Sequence, residues 1–280
     1  MIVTLAGGVG AARFLKGLCL VRPPEDLTAV INTADDTVLH GLHISPDIDT
    51  VTYSLAGVDN PETGWGLIGE TWKVMESLDF LGGITWFQLG DKDLGTHLYR
   101  TNRLVDGDSL TTVTSEIASQ FKIKTKLLPM TDDKVSTFVT SADSGEEISF
   151  QEYFVKLKHS VAISDIRFDG VEDSRPGPEV IESILNAEKI VIAPSNPLVS
   201  IGPILAISEI LSAVQSRRES TVAISPIVGG LALKGPADRL MRELGHEPSV
   251  VGVARLYKDF AGTLVIDNAD ENHRKDVEAL

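Results

Sequence analysis

The segment VTLAGGVGAARFLKGL, residues 3 to 18, joins a short apolar run to a helical pattern through a glycine-rich turn. The run at 2 to 6 (IVTLA) reads as a buried strand. Beyond the glycines, Phe14, Leu15, Leu18 and Val21 recur at helical spacing, and Pro23-Pro24 closes the helix. A second apolar strand follows at 27 to 33 (LTAVINT), so the chain opens β-α-β, the signature of a parallel sheet. The alternation returns late, with strands predicted at 189 to 193, 221 to 225 and 264 to 267 and helices from Ser200 and over 236 to 244. Ends so alike predict one α/β core, doubly wound and mostly parallel.

The middle has a different texture. Residues 69 to 80 and 91 to 121 look helical, whereas 124 to 169 holds short β-like runs broken by turn signals such as SADSGEE. The expectation is a single domain over 1–280, with its core from 1–60 and 185–280 and a mixed helical and β insertion over 61–184 capping the carboxyl edge of the sheet.

Composition narrows the function. A formal charge of −15 repels polyanions, and no basic patch offsets it, so nucleic acid is not expected as a partner. One cysteine excludes a disulfide framework; Cys19 reads as a buried structural thiol. No signal peptide opens the chain and no apolar run reaches spanning length, so a cytoplasmic protein without membrane contact is expected. The tail DNADENHRKDVEAL reads as a solvated terminal helix.

The glycine turn fits neither familiar phosphate loop. A Lys-Ser/Thr pair is missing from the place a Walker loop requires, and Arg13 stands where the third glycine of a dinucleotide fingerprint belongs. What remains is a turn whose backbone approaches a ligand closely, followed by free helix amides; Gly7, Gly8, Val9, Gly10 and Ala11 are its candidate contacts. In NTADD, Asn32 and the following acids sit where a ribose hydroxyl is often read, although Asp35 and Asp36 serve equally as helix caps. In ISPDIDTVTYSL, capping accounts for one of Asp47 and Asp49, which leaves the other for Mg²⁺ or substrate. APSNPLVSIGPIL puts Ser195, Asn196, Ser200 and Ile201 at a second helix start, and SPIVGGLALKGPA repeats the design and adds Lys234. LGDKDLGTHLYRTN, with Asp91, Lys92, Asp93, His97 and Arg100, reads as ordinary helix electrostatics. His40 and His43 lack a third ligand and read as loop or core residues, and no serine nucleophile is marked.

Taken in order, LAGGVGAARFLKGL, INTADD, ISPDIDTV, LGDKDLGTH, PSNPLVSIGPIL and SPIVGGLALKGPA resemble the 2-phospho-L-lactate transferase family of deazaflavin coenzyme F420 biosynthesis, from Met1 to Asp267. The resemblance implies a Rossmann-like core, a homodimer and a Mg²⁺-dependent reaction without a tightly bound redox cofactor. It implies transfer of a 2-phospho-lactyl or enolpyruvyl-phosphate group from a guanosine diphosphate conjugate to the terminal ribityl hydroxyl of the deazaflavin precursor, with release of GMP. By matching positions, Asp49 and Gln88 correspond to acceptor contacts, and Asp47 beside Asp49 is a metal or acceptor partner. Gln88 is neutral where the family is often basic. The candidate catalytic and metal residues are therefore Asp47 and Asp49, with Gly7 to Ala11, Asn32, Ser195, Asn196, Ser200 and Ile201 around the donor nucleotide and phosphates. Trp65, Trp72 and Trp86 are candidates for an apolar wall. A related family of nucleotide-sugar-binding regulators shares the core and the opening loop, but TVLHGLHISPDIDT here replaces the Gly/Ser-rich run those proteins carry after NTADD.

Overall fold

Apolar strands without polar alternation need cover on both faces, and the computed structural model, which describes Met1–Leu280, supplies it. Six strands form the central sheet: β1 (Ile2–Ala6), β2 (Leu27–Ile31), β3 (Lys126–Pro129), β4 (Lys189–Ile192), β5 (Thr221–Ile224) and β6 (Thr263–Val265). Their order is β6-β5-β4-β1-β2-β3, and every pairing is parallel. Chain direction across the sheet reverses between β1 and β4, the topological switch point at which doubly wound folds bind ligands. Val3, Leu5 and Val30 pack with Ile190, Ile192 and Ile204 on one face. Ala6, Ala29 and Ile31 pack on the other with Ala11 and Leu15 of helix Val9–Leu18 and with Ile48 and Val51 of helix Pro46–Ala56.

The doubly wound expectation holds, with one boundary moved. β3 lies inside 61–184, the segment expected to sit outside the core, yet it pairs with β2 from Thr28↔Lys126 to Ile31↔Pro129. Helix Leu110–Gln120 comes with it, placing Leu110 and Ala118 against the same core as Leu127. The rest of the middle segment lies off the central sheet: helices Lys73–Phe80 and Asp93–Val105, and an antiparallel sheet of Ser136–Ser141 between Glu147–Ser149 and Ile163–Asp169.

Smaller elements also decide geometry. The hairpin Thr37–Leu39/Leu42–Ile44 turns through His40 and Gly41, both at positive φ, so His40 is a turn residue. Cys19 ends its helix half-buried, its Sγ 3.7 Å from Thr125 Oγ1. The tail is only partly solvated: Asp270 is buried, and both its carboxylate oxygens accept from the Gly229 amide, at 3.0 and 3.2 Å. No single helix is long and apolar enough to cross a membrane.

Candidate active site

The turns after β1 and β4 pack directly on each other. Gly7 donates its amide to Ser195 Oγ at 3.3 Å, and a Cβ on Gly7 would lie 2.4 Å from Ser200 Cβ. On Gly10 it would lie 2.2 Å from the Pro194 carbonyl oxygen, and on Gly8 2.7 Å from Asp47 Oδ1. The glycines therefore let two turns and an acid converge, with any ligand contact coming second. The amides of Val9, Gly10 and Ala11 open the helix with no acceptor in the protein, as first-turn amides do. Asn196 caps the next helix, its Oδ1 accepting from Leu198 at 2.9 Å and from Val199 at 3.4 Å, which leaves its amide NH₂ uncommitted.

These turns border a cleft of 860 Å³, within the range of small-molecule sites. Gly8, Val9, Gly10, Asp47, Asp49, Gln88, Ser195, Asn196 and Ser200 all line it. Four candidates do not. Gly7 lies behind the turn, Ala11 and Ile201 are fully buried in the apolar core, and Asn32 is buried framework. Asn32 uses its amide internally, donating Nδ2 to Asp47 Oδ2 at 3.0 Å and accepting the Ala34 amide at 2.9 Å. Its place at the end of β2 had marked it as a ligand residue; its burial makes it the support for Asp47.

Two carboxylates crowd together beside the glycine turn. Asp35 is buried, lines the cleft, and has no partner for Oδ1. Burial first, and the charge of Asp47 second, raise it well above the carboxylate range. Burial pushes Asp47 up to about 7 despite the hydrogen bond from Asn32. Asp36 turns away and braces the hairpin, accepting from Ser45 Oγ at 2.6 Å with His43 Nε2 at 3.0 Å.

Asp49 stands differently. Both its oxygens engage the guanidinium of Arg100, Oδ2 with Nη1 at 3.1 Å and Oδ1 with Nη2. Arg100 is fully buried, and its Nη1 also lies 3.3 Å from His97 Nδ1 and 3.4 Å from the His43 carbonyl oxygen. His97 sits between Asp49 Oδ2 at 3.6 Å and Asp93 Oδ2 at 3.4 Å, and Tyr53 donates its hydroxyl to Asp93 Oδ1 at 2.5 Å. Asp49, Asp93 and His97 bring ligand-type atoms within 4.8 Å of one another, but Arg100 already supplies the positive charge such a set would seek in a metal. The metal expectation for Asp49 therefore meets a carboxylate that is already ion-paired.

Aromatic and cationic side chains also line the cleft. Trp65, Trp86, Phe87 and Phe154 line the cleft, whereas Trp72 stands behind, edge-on to Trp65 at 6.3 Å. Gln88 donates Nε2 to the Thr85 carbonyl at 2.6 Å. Arg13 and Lys234 line the cleft near the glycine turn, and a Cβ on Gly64 would meet Lys234 Nζ at 2.8 Å and Val9 Cγ1 at 3.7 Å. Sequence reasoning missed the roles of Asp93, His97 and Arg100. Their spacing of four and three places them on one helical face, a buried polar stripe that reads as a solvated one until something covers it.

Comparison with known proteins agrees with this architecture. The family described as 2-phospho-L-lactate transferase CofD matches residues 2–279. A phosphoenolpyruvate transferase of Streptomyces griseus is 44% identical over 284 residues, covering 99% of this chain and 89% of that protein. A 2-phospho-L-lactate transferase of Methanocaldococcus jannaschii is 37% identical over 279 residues, again covering 99% and 89%. Two crystal structures of a Bacillus halodurans protein, described as a member of the UPF0052 family, share the fold with TM-scores of 0.60 and 0.57 at 17% and 19% identity. They cover 98% and 99% of this chain, and 85% and 89% of theirs.

Proposed function

The chain belongs to the CofD family of 2-phospho-L-lactate transferases, and from that premise we propose that its cleft moves a phosphate-linked three-carbon acid from a guanosine diphosphate conjugate to the terminal ribityl hydroxyl of a deazaflavin precursor. The observation that carries the reading is convergence: the turns after β1, β4 and β5 meet Asp35, Asp47 and Asp49 around one cleft. Transfer of this kind asks for alignment and charge stabilisation rather than a covalent protein intermediate. The hydroxyl oxygen bonds to the phosphorus nearest the acid, the bond from that phosphorus to the bridging oxygen breaks, and GMP leaves with the bridging oxygen and the proton the hydroxyl gives up.

The residues divide this work by charge. The open amides of Val9 and Gly10, with Ser200, Arg13 and Lys234, take the diphosphate, while the Asn196 amide faces the nucleotide. Asp35 and Asp47 fit a divalent cation: burial favours their protonated forms, one oxygen has no partner, and a bound cation would displace the protons and stabilise both groups as carboxylates. Mg²⁺ held there would neutralise charge on the donor phosphates. Asp49 orients the hydroxyl, since a guanidinium fork leaves a second lone pair on each carboxylate oxygen. A loose transition state makes little demand for a strong base, so an ion-paired carboxylate suffices. Trp65, Trp86 and Phe154 cover the ring.

For the acid we favour enolpyruvyl over lactyl, because the phosphoenolpyruvate transferase is the more similar relative, 44% against 37%. Incubating the protein with precursor, Mg²⁺ and each donor, read by mass, is the test. A product from the enolpyruvyl donor is expected. No product from either donor, together with tight uptake of a UDP-sugar, would overturn the transferase reading in favour of a nucleotide-sugar regulator.

A further inference from the structure

We propose that Arg100 is a positioning residue for acceptor recognition, setting the orientation of Asp49 through its two-point grip, so that helix Asp93–Val105 forms the floor of the acceptor subsite. The proposal rests on the hydroxyl-orienting role given to Asp49 above.

Asp49 and His97 line the cleft and Arg100 does not, so whatever Arg100 contributes reaches a ligand through a neighbour, and Asp49 is the one it holds at two points. Arg100 is fully buried and Asp49 nearly so, and a buried ion pair is a poor source of stability compared with an apolar pair of the same volume. What the pair does provide is direction. A carboxylate at the start of a helix can rotate about its side-chain bonds; one clamped at both oxygens cannot. Arg100 is itself anchored to the His43 carbonyl and to His97, on separate elements, so the clamp is referenced to the hairpin and to its own helix together. Lysine at this place would carry the charge without the planar fork.

Steady-state kinetics of Arg100→Lys test this. The acceptor KM should rise at least about tenfold with the donor KM within about twofold of the parent, because uniform binding to one substrate alone has been lost. Unchanged acceptor KM, or equal movement of both KM values, overturns the proposal. A second comparison stands even where Arg100→Lys folds poorly. Calorimetric titration of the precursor into Asp49→Ala and Asp49→Ala/Arg100→Met should give affinities within about twofold, since the grip has nothing left to orient. A further tenfold loss in the double variant, on the order of 1.4 kcal/mol, overturns it. Failure of the parent protein to transfer any group would instead sink the reading of the cleft, which keeps the two outcomes apart.

Discussion

Arg100 and Asp49 meet as a two-point ion pair, Arg100 fully buried and Asp49 nearly so at the lining of the cleft. Asp49→Asn leaves the guanidinium buried with its main partner gone, which costs about 3–5 kcal/mol in comparable pairs. The variant should therefore lose transfer and also melt roughly 5 °C or more below the parent in calorimetry. A melting temperature equal to the parent's would show that the pair carries no stability.

Asp35→Asn should have the opposite sign on stability. It removes a buried, orphaned carboxylate next to Asp47, so the metal-free protein should melt about 2–4 °C higher. Turnover should nonetheless need at least about tenfold more Mg²⁺, the expected result of losing one of the two carboxylates proposed to hold it. A titration of rate against Mg²⁺ superimposable on the parent's would remove Asp35 from the metal site.

The glycine turn makes a graded prediction. Gly10→Ala forces a methyl to 2.2 Å from the Pro194 carbonyl oxygen, a backbone atom that cannot swing aside. It should destabilise by roughly 1–3 kcal/mol and weaken GDP binding, because the two turns must part. Gly17→Ala meets nothing within 4 Å inside the same helix, so it should stabilise by about 0.5–1 kcal/mol. Denaturant melts of both variants check the contrast; equal effects would refute the packing account.

Asp47 contributes to a pH response that Asp35 and Asp36, raised in the same direction by burial, share. The Asp47 carboxyl is pushed from an ordinary value of 3.8 to about 7, so between those limits the native state binds more protons than the unfolded chain. Stability contributed by the protonated form is full below the lower value and is lost as pH rises through the upper one. The metal-free protein should melt at least about 3 °C lower at pH 8 than at pH 5 on this account, and Asp47→Asn should flatten that slope. A parent and variant with parallel pH profiles would contradict the assignment.

The sequence carried much of this, unevenly. β1, β2, β4 and β5 are apolar runs bounded by Gly, Pro and Ser, and such strands announce themselves. β3 was legible as the β-like run TKLLP but its place was not, because Lys126–Pro129 is an edge strand and pattern alone says nothing about which sheet a short strand joins. Turn residues pointed to Gly8, Asp47, Asp49, Ser195 and Asn196 in the cleft. The same signal overreached at Asn32 and Ile201, since it cannot tell a side chain facing the ligand from one facing the core. Asp93, His97 and Arg100 were hidden because a polar helix face looks wet until the hairpin Thr37–Ile44 and helix Pro46–Ala56 are laid over it.

The hydrogen bond from Gly7 to Ser195 joins residues 188 positions apart. During synthesis the amino-terminal bend must wait, half-formed, until most of the polypeptide has emerged from the ribosome. Loop closure over such a separation slows folding, so binding competence should arise late, after the β-α-β opening has already acquired protection from hydrogen exchange.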